Sequence, residues 1–245
     1  MSVSRTIATA ARVLSQLRRD PRTIVLLIAV PSVLILLVDQ LFAGREQVFQ
    51  NVGVPMLGIF PLISMFLVTS ITMLRERTTG TLERLLTTPL TKLELLLGYG
   101  IAFAAVAVVQ VTVVSIVGFV ILGLDTVHSN LLIVLLAVAN ALLGMAFGLF
   151  VSAFARSEFQ AVQFMPAFVL PQILLCGLFV ARDQMADWLQ WVSAVLPLTY
   201  AFDALDRAAH EPTLGPRFWA DVTIVVGAMI LALVLGAATL RRRTP

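Results

Sequence analysis

Leu95–Leu124, LLLGYGIAFAAVAVVQVTVVSIVGFVILGL, runs for 30 residues without an acidic or basic side chain. About 20 apolar residues in a helix cross the hydrocarbon core of a bilayer, so this stretch can span it with residues to spare. Lipid offers no partner to a bare amide, and a helix bonds all of its own; a barrel would instead show alternating strands of about 10 residues. Five further charge-free runs flank it: Thr23–Val38, Val52–Leu74, Ser129–Ala155, Phe159–Ala181 and Val222–Leu240. The expected fold is an all-α integral membrane protein of six transmembrane helices, one domain over residues 1–245.

Composition agrees. The chain is 59% hydrophobic and 13% charged, whereas soluble domains are about 45–50% apolar and about 25% charged. A water-soluble globule is excluded, and the segments between runs are too small to build a core of their own. Arg5, Arg12, Arg18, Arg19 and Arg22 precede the first run; Arg75, Arg77, Arg84 and Lys92 lie between the second and third. Arg156 follows the fourth and Arg241–Arg243 end the chain, while only Arg45, Arg182, Arg207 and Arg217 fall in the alternate loops. The positive-inside rule then puts both termini in the cytoplasm. The net charge of +3 reflects orientation in a membrane, and nucleic acid is not an expected partner. A basic N-terminus before an apolar run resembles a signal peptide, but no small-residue cleavage pattern follows Val38, so the run is read as a true first span. The single cysteine, Cys176, forms no intramolecular disulfide and is read as a packing residue. Sixteen Arg against one Lys suits a high-GC bacterial source.

Polar punctuation divides the chain further. Residues 4–19 place Ile7, Ala11, Leu14 and Leu17 on one helical face and Arg5, Arg12, Gln16 and Arg19 on the other, predicting an amphipathic elbow helix on the inner leaflet. Asp20 and Pro21 read as N-cap and first helical residue of the first span. Residues 75–94 form a cytoplasmic loop in which Thr79 and Gly80 open a short amphipathic helix carrying Leu82, Leu85, Leu86 and Leu90, with Glu83, Arg84 and Thr87 opposite and Pro89 breaking it. Thr91 and Glu94 have the spacing of a capping box. This helix either seals the inner leaflet or offers a handle to a cytoplasmic protein. In the outer segment, 182–218, Asp187 is expected to cap a helix with Trp188, Trp191, Val192 and Val195 on one face. Pro197 ends that helix, and Leu198, Phe202 and Leu205 predict a second; the pair is read as re-entrant, dipping into the outer leaflet, with the tryptophans in the interfacial belt.

The chemistry that is missing is equally informative. No span carries an ionisable residue near its centre, which disfavours a proton relay. His128 and His210 lack neighbours at metal-ligand spacing, and no nucleophile elbow is present, so neither a metal site nor an enzyme is expected. The sole lysine, Lys92, is not in a Gly-rich phosphate loop, so energy for uphill transport has to come from another protein. Gly144 and Gly148 form a small-xxx-small pair, and Gln110 and Asn140 sit near mid-span; close packing with one interhelical hydrogen bond is expected. Pro31, Pro55, Pro61, Pro166 and Pro171 interrupt spans and are read as kinks. Phe60, Met65, Phe66 and Thr69, with Phe164, Phe168 and Phe179, offer an aromatic substrate path as the alternative to plain core.

Arg75–Gly98, RERTTGTLERLLTTPLTKLELLLG, resembles the signature of the type-two ABC exporter permeases, the family of antibiotic-export and nodulation-oligosaccharide permeases. Leu196–Ala208, LPLTYAFDALDRA, is similar to the family's segment before the last span, apart from Asp206 where an apolar residue is the family pattern. The resemblance covers essentially the whole chain. It implies a half-transporter in the bacterial plasma membrane that pairs with a second permease copy, as homodimer or heterodimer, and with two ABC ATP-binding subunits holding ATP and Mg. The chain itself would bind no cofactor. The resemblance implies that Glu76, Gly80, Thr81, Glu83 and Pro89 belong to the ATPase-coupling helix, and Arg75, Leu82, Leu85 and Leu86 of the same loop complete the candidate coupling set. The candidate outer re-entrant set is Trp188, Trp191, Pro197, Tyr200, Asp203 and Arg207, of which the last four lie in the motif that carries the resemblance. The function that follows is multidrug or antibiotic efflux of hydrophobic or amphiphilic compounds. The same scaffold exporting lipid-linked or glycolipid cargo is the alternative; an ATP-independent carrier or channel would need a charged or unwound span centre.

Overall fold

The computed structural model describes residues 2–87 and 90–239, with the side chains of Leu82, Glu83, Leu86, Lys92 and Leu93 outside the description. All regular structure among the described residues is helical. In order run α1 (Val3–Arg18), α2 (Pro21–Leu41), α3 (Glu46–Thr78), α4 (Thr81–Thr87), α5 (Lys92–Ile116), α6 (Asn130–Val151), α7 (Glu158–Leu175), α8 (Asp187–Val195), α9 (Pro197–His210) and α10 (Pro216–Ala238). A π-helical turn, Val117–Ile121, extends α5.

Five of these helices are long and apolar enough to cross a membrane: α2, α3, residues 94–121 of α5 and its extension, α6 and α10. The expected span at Phe159–Ala181 is α7, and it stops early. Its helix ends at Leu175, and two residues on Gly177 takes a positive φ of 108°, a backbone that only glycine adopts without strain. Eighteen residues rise about 27 Å, and Gln160, Gln163 and Gln172 dilute its apolar surface. The charge-free run counted side chains, whereas the helix is bounded by backbone geometry.

At the centre α3 packs along α6. A Cβ built on Gly144 would collide with the Leu62 carbonyl, and one on Gly148 with the Phe66 carbonyl and the Thr69 hydroxyl. The small-residue pair thus brings the two backbones together, as its spacing predicts. Thr69 Oγ1 donates to its own helix at Met65 O (2.6 Å) and lies 3.3 Å from Met145 O of α6.

The expected interhelical bond comes from Gln110, to a partner set by a proline. Pro31 has no N–H, so the carbonyl four residues before it, Leu27 O, loses its helical donor. Gln110 Nε2 of α5 donates to that carbonyl at 2.9 Å, filling the gap as proline-bearing spans require. Asn140 has no part in this bond; its amide packs at Gly58.

α1 lies against α5 through a face other than its apolar stripe. Thr6, Thr9, Ala10 and Val13 are its buried residues, and a Cβ on Gly98 would meet Thr9, so small side chains on both helices allow the contact. Ile7, Ala11 and Leu14 are exposed. Amphipathic periodicity marks a greasy stripe without saying whether lipid or protein covers it. Arg12, assigned to the solvent face, turns inward.

Candidate functional site

The candidate site is built on the exit from α3. Thr79, the C-cap, returns its N–H and its hydroxyl to Arg75 O at 2.9 and 2.7 Å. Gly80 follows at φ +71°, the left-handed conformation that ends helices and favours glycine. Its carbonyl then accepts from Arg84 N at 3.1 Å, so one glycine both closes α3 and opens α4. Thr81 begins α4, its hydroxyl 3.0 Å from that of Thr79. On α4, Leu85 packs against the core cluster that contains Met73, Leu95 and Leu96. The expected coupling residues Leu82, Glu83 and Leu86 fall on α4 with side chains outside the description, and Pro89 lies outside the described residues. The chain re-enters helix through the expected capping box: Thr91 N donates to Glu94 Oε2 (2.9 Å) and Glu94 N to Thr91 Oγ1 (3.2 Å). Glu94 also accepts the backbone N–H of Ser2, which ties the start of α1 to the start of α5.

Glu76 is placed behind this surface. Its side chain is 7% exposed and pairs with Arg12 of α1 at 3.0 Å; Arg12 Nη2 donates to the Tyr99 hydroxyl of α5 at 2.7 Å, and the guanidinium lies over the Tyr99 ring. Three helices thus meet in one buried polar set. Removing either charged partner from such a set leaves the other buried and uncompensated. The Tyr99 hydroxyl, which accepts from Arg12, keeps its own proton for the Glu76 carboxylate. Arg75 reaches outward and makes a two-pronged pair with Glu158 of α7, at 2.7 and 3.0 Å. Sequence reading named Arg75 and Glu76 but missed Arg12, Tyr99 and Glu158. Partners 64, 87 and 83 positions apart leave no local signal. Asp20 caps α2 as expected, and hydrogen bonds from Thr23 hold its carboxyl below the usual carboxylate range.

Of the aromatic set, the structure brings together Phe66 and Phe168, with ring centroids 6.2 Å apart, and places Phe164 in the same cluster. Met65, Phe66 and Thr69 are fully buried, Phe60 borders a separate core region, and Phe179 is exposed.

On the opposite end, α8 and α9 form the expected helix pair, with two differences. Asp187 is the first helical residue and does not cap α8, and Pro197 starts α9 as well as stopping α8. Trp188 and Trp191 are exposed at 67% and 78%, large amphipathic rings facing outward, whereas Leu198 and Leu205 are buried. Ser193 Oγ donates to Leu175 O at 2.8 Å, and Tyr200 OH to Ala194 O at 2.6 Å, pinning the pair to the end of α7. Arg182 pairs with Asp203, and Arg207 with both Glu211 and Asp221. Burial pushes the Asp203 carboxyl up to about 6, against the pull of Arg182.

Comparison with protein families matches residues 5–208 to the family described as "ABC-2 type transporter". Among curated proteins, the "Probable multidrug ABC transporter permease YbhR" of Escherichia coli K12 is 30% identical over 148 residues, 60% of this chain and 40% of that protein. The "Probable multidrug ABC transporter permease YbhS" of the same strain is 30% identical over 178 residues, 72% of this chain and 47% of the relative. "ABC transporter G family member 20" of Dictyostelium discoideum is 25% identical over 179 residues, 72% of this chain and 24% of that protein. The chain therefore spans less than half the length of these relatives. With the family match extending from α1 through α9, this chain belongs to the ABC-2 type transporter family and is an integral membrane protein.

Proposed function

We propose that the chain is the permease subunit of an ATP-driven exporter that moves hydrophobic or amphiphilic compounds out of the cell. A second permease copy completes the pathway. Two separate ABC ATP-binding subunits, which hold ATP and Mg, supply the free energy, and the chain itself performs no hydrolysis and binds no cofactor. Family membership and the multidrug descriptions of the Escherichia coli relatives support this class of cargo. In this reading the protein sits in the bacterial plasma membrane with both termini cytoplasmic. α7 together with residues 176–181 makes the sixth crossing, α1 is the elbow, α4 the coupling helix, and α8–α9 the re-entrant outer pair.

The observation that carries the mechanism is α4, a short helix hung on a left-handed Gly80 beside a buried set that joins α1, α3 and α5. A push on α4 from a closing ATPase reaches all three helices at once, through Leu85 and through the α3 terminus. Moving a two-state equilibrium from 1:99 to 99:1 takes roughly 5.5 kcal/mol of differential binding, so α4 has to share the work with α1. Glu76 serves in this scheme by holding α1 to α3, and Glu83 and its neighbours on α4 meet the ATPase.

Gly80→Pro forces φ to about −65° at a position held at +71°, and Glu83→Arg reverses the charge at position 83. Co-expressed with its ATP-binding subunit, each variant is expected to stay in the membrane at wild-type abundance. ATP-dependent efflux, and stimulation of vanadate-sensitive ATPase activity, should each fall at least tenfold. Wild-type efflux and stimulation in both variants would remove α4 from the coupling role.

A further inference from the structure

A groove of about 300 Å³ opens between α1, α2 and α5, where the chain turns from α1 into α2. We propose that it seats one acyl chain of a phospholipid of net negative charge, whose phosphate lies on Arg18 with Arg19 and Arg22 beside it. The site goes beyond the export reading, since it needs only that the chain lies in a bilayer.

Each of the three helices gives the groove a face about one turn long. Leu17 of α1, Leu27 and Ile28 of α2, and Val106 and Val109 of α5 are among its walls. Among the described residues that line it, Arg18 alone is polar. The backbone adds no polar gap, because Leu27 O, the carbonyl freed by Pro31, is already taken by Gln110. Such a surface accepts hydrocarbon and gives a hydrogen-bonding ligand no partner inside it. The charge sits at one end. Arg18, Arg19 and Arg22 are exposed and, among the described residues, enter none of the ion pairs, which take Arg12, Arg75, Arg182 and Arg207. Asp20, the acid between them, accepts both the amide and the hydroxyl of Thr23 and is committed to the cap of α2. Guanidinium groups at the start of an apolar span stand at headgroup depth, where anionic lipid is attracted to clustered arginine. Each can hold phosphate oxygens through charge-assisted bonds. A cationic amphiphile would meet like charge here. A second copy, packed on this face about a twofold axis along the membrane normal, would bring its own arginines to the same depth. A phospholipid carries both halves on one molecule, hydrocarbon for the groove and an anion for its rim.

The test uses the full-length protein in phosphatidylcholine nanodiscs and two probes with the same acyl-chain diazirine, one on phosphatidylglycerol and one on phosphatidylcholine. Each is added at equal mole fraction, and after irradiation mass spectrometry locates the labelled residues. Phosphatidylglycerol is expected to label Ile28, Val106 and Val109 at least fivefold more than phosphatidylcholine does. Val33 and Leu37, exposed further along α2, should be labelled equally by the two. Ala105→Phe fills the groove from its α5 wall and leaves every charge in place; it should abolish the excess. Arg18→Gln combined with Arg19→Gln and Arg22→Gln should bring the two probes to equal labelling with the groove still open. If the triple variant does not accumulate in the membrane, Arg18→Gln alone carries this arm and should cut the excess at least twofold. Equal labelling of the unaltered chain by the two probes overturns the site. An excess that survives Ala105→Phe also overturns it, because that is lipid gathered loosely around basic charge. So does an excess that survives loss of the arginines. Groove residues left unlabelled by both probes, while Val33 and Leu37 react, would mean that protein covers this face, and the proposal would fall. None of these outcomes depends on efflux, so the site and the export reading stand or fall separately.

Discussion

Gln110 shows how a single side chain carries a span. Pro31 strips Leu27 O of its helical donor, and Gln110 Nε2 supplies another from α5. A buried carbonyl left without a partner costs about 1–3 kcal/mol. Gln110→Leu should therefore destabilise the detergent-purified protein by about that amount. Pro31→Ala, which restores the helical N–H, should make Gln110→Leu nearly neutral. A double-mutant cycle read by thermal unfolding measures the coupling, and a coupling near zero would show that Gln110 acts through packing alone. Residue identity foretold a buried amide with a job near mid-span. Its partner was hidden, because Leu27 is 83 positions away and nothing local distinguishes one freed carbonyl from another. The same holds for Arg12, which the helical wheel put on the solvent face and the fold turned into the counter-ion of Glu76. By contrast, the caps at Asp20 and at Thr91 and Glu94 were legible in full, since donor and acceptor lie within one turn of each other.

Among the elements, the α3–α6 pair sets the tightest constraint. Gly148 faces the Phe66 carbonyl and the Thr69 hydroxyl with no room for a Cβ. Overpacking a filled core typically costs 1–3 kcal/mol, and here the obstructing atom is backbone, which cannot swing aside. Gly148→Leu should lower the melting temperature sharply, while Gly227→Leu, at a position with open space around it, should leave it nearly unchanged. Equal effects at the two positions would mean that close approach of α3 and α6 is not what the glycine secures. The small-xxx-small spacing announced this contact. What it could not announce was the length of α7: a run without charges looks the same whether the helix continues or breaks, and the break at Cys176 and Gly177 depends on backbone angles and on the anchoring of Leu175 by Ser193.

For the whole molecule, the distribution of arginine is the largest-scale signal, and it bears directly on orientation. Ser15 on α1 and Thr213 between α9 and α10 are both exposed and stand at opposite ends of the proposed topology. With Cys176→Ser as background, Thr213→Cys in intact cells should react with a membrane-impermeant maleimide, and Ser15→Cys should react only after the membrane is opened. The reverse pattern would invert the topology and put α4 out of reach of any cytoplasmic ATPase. The helical fold class and the positions of five spans were readable because each is written in local composition. The joining of α1, α3 and α5 was not, because it exists only once distant segments are folded together.

The way α2 is attached has a mechanical consequence. Its buried residues, Leu27, Pro31 and Ile35, recur about once per turn with Ile28 and Val38 packed beside them, and Gln110 grips it at the Leu27 end of that row. Its remaining faces, carrying Val25, Leu26, Val33 and Leu37, look away from the protein, toward hydrocarbon that is indifferent to their orientation. A strut held at one polar fulcrum can tilt about that point with little loss of contact, so its two tips swing in opposite directions. Displacement of α1 on one side of the bilayer would then reappear, with its sign reversed, on the other.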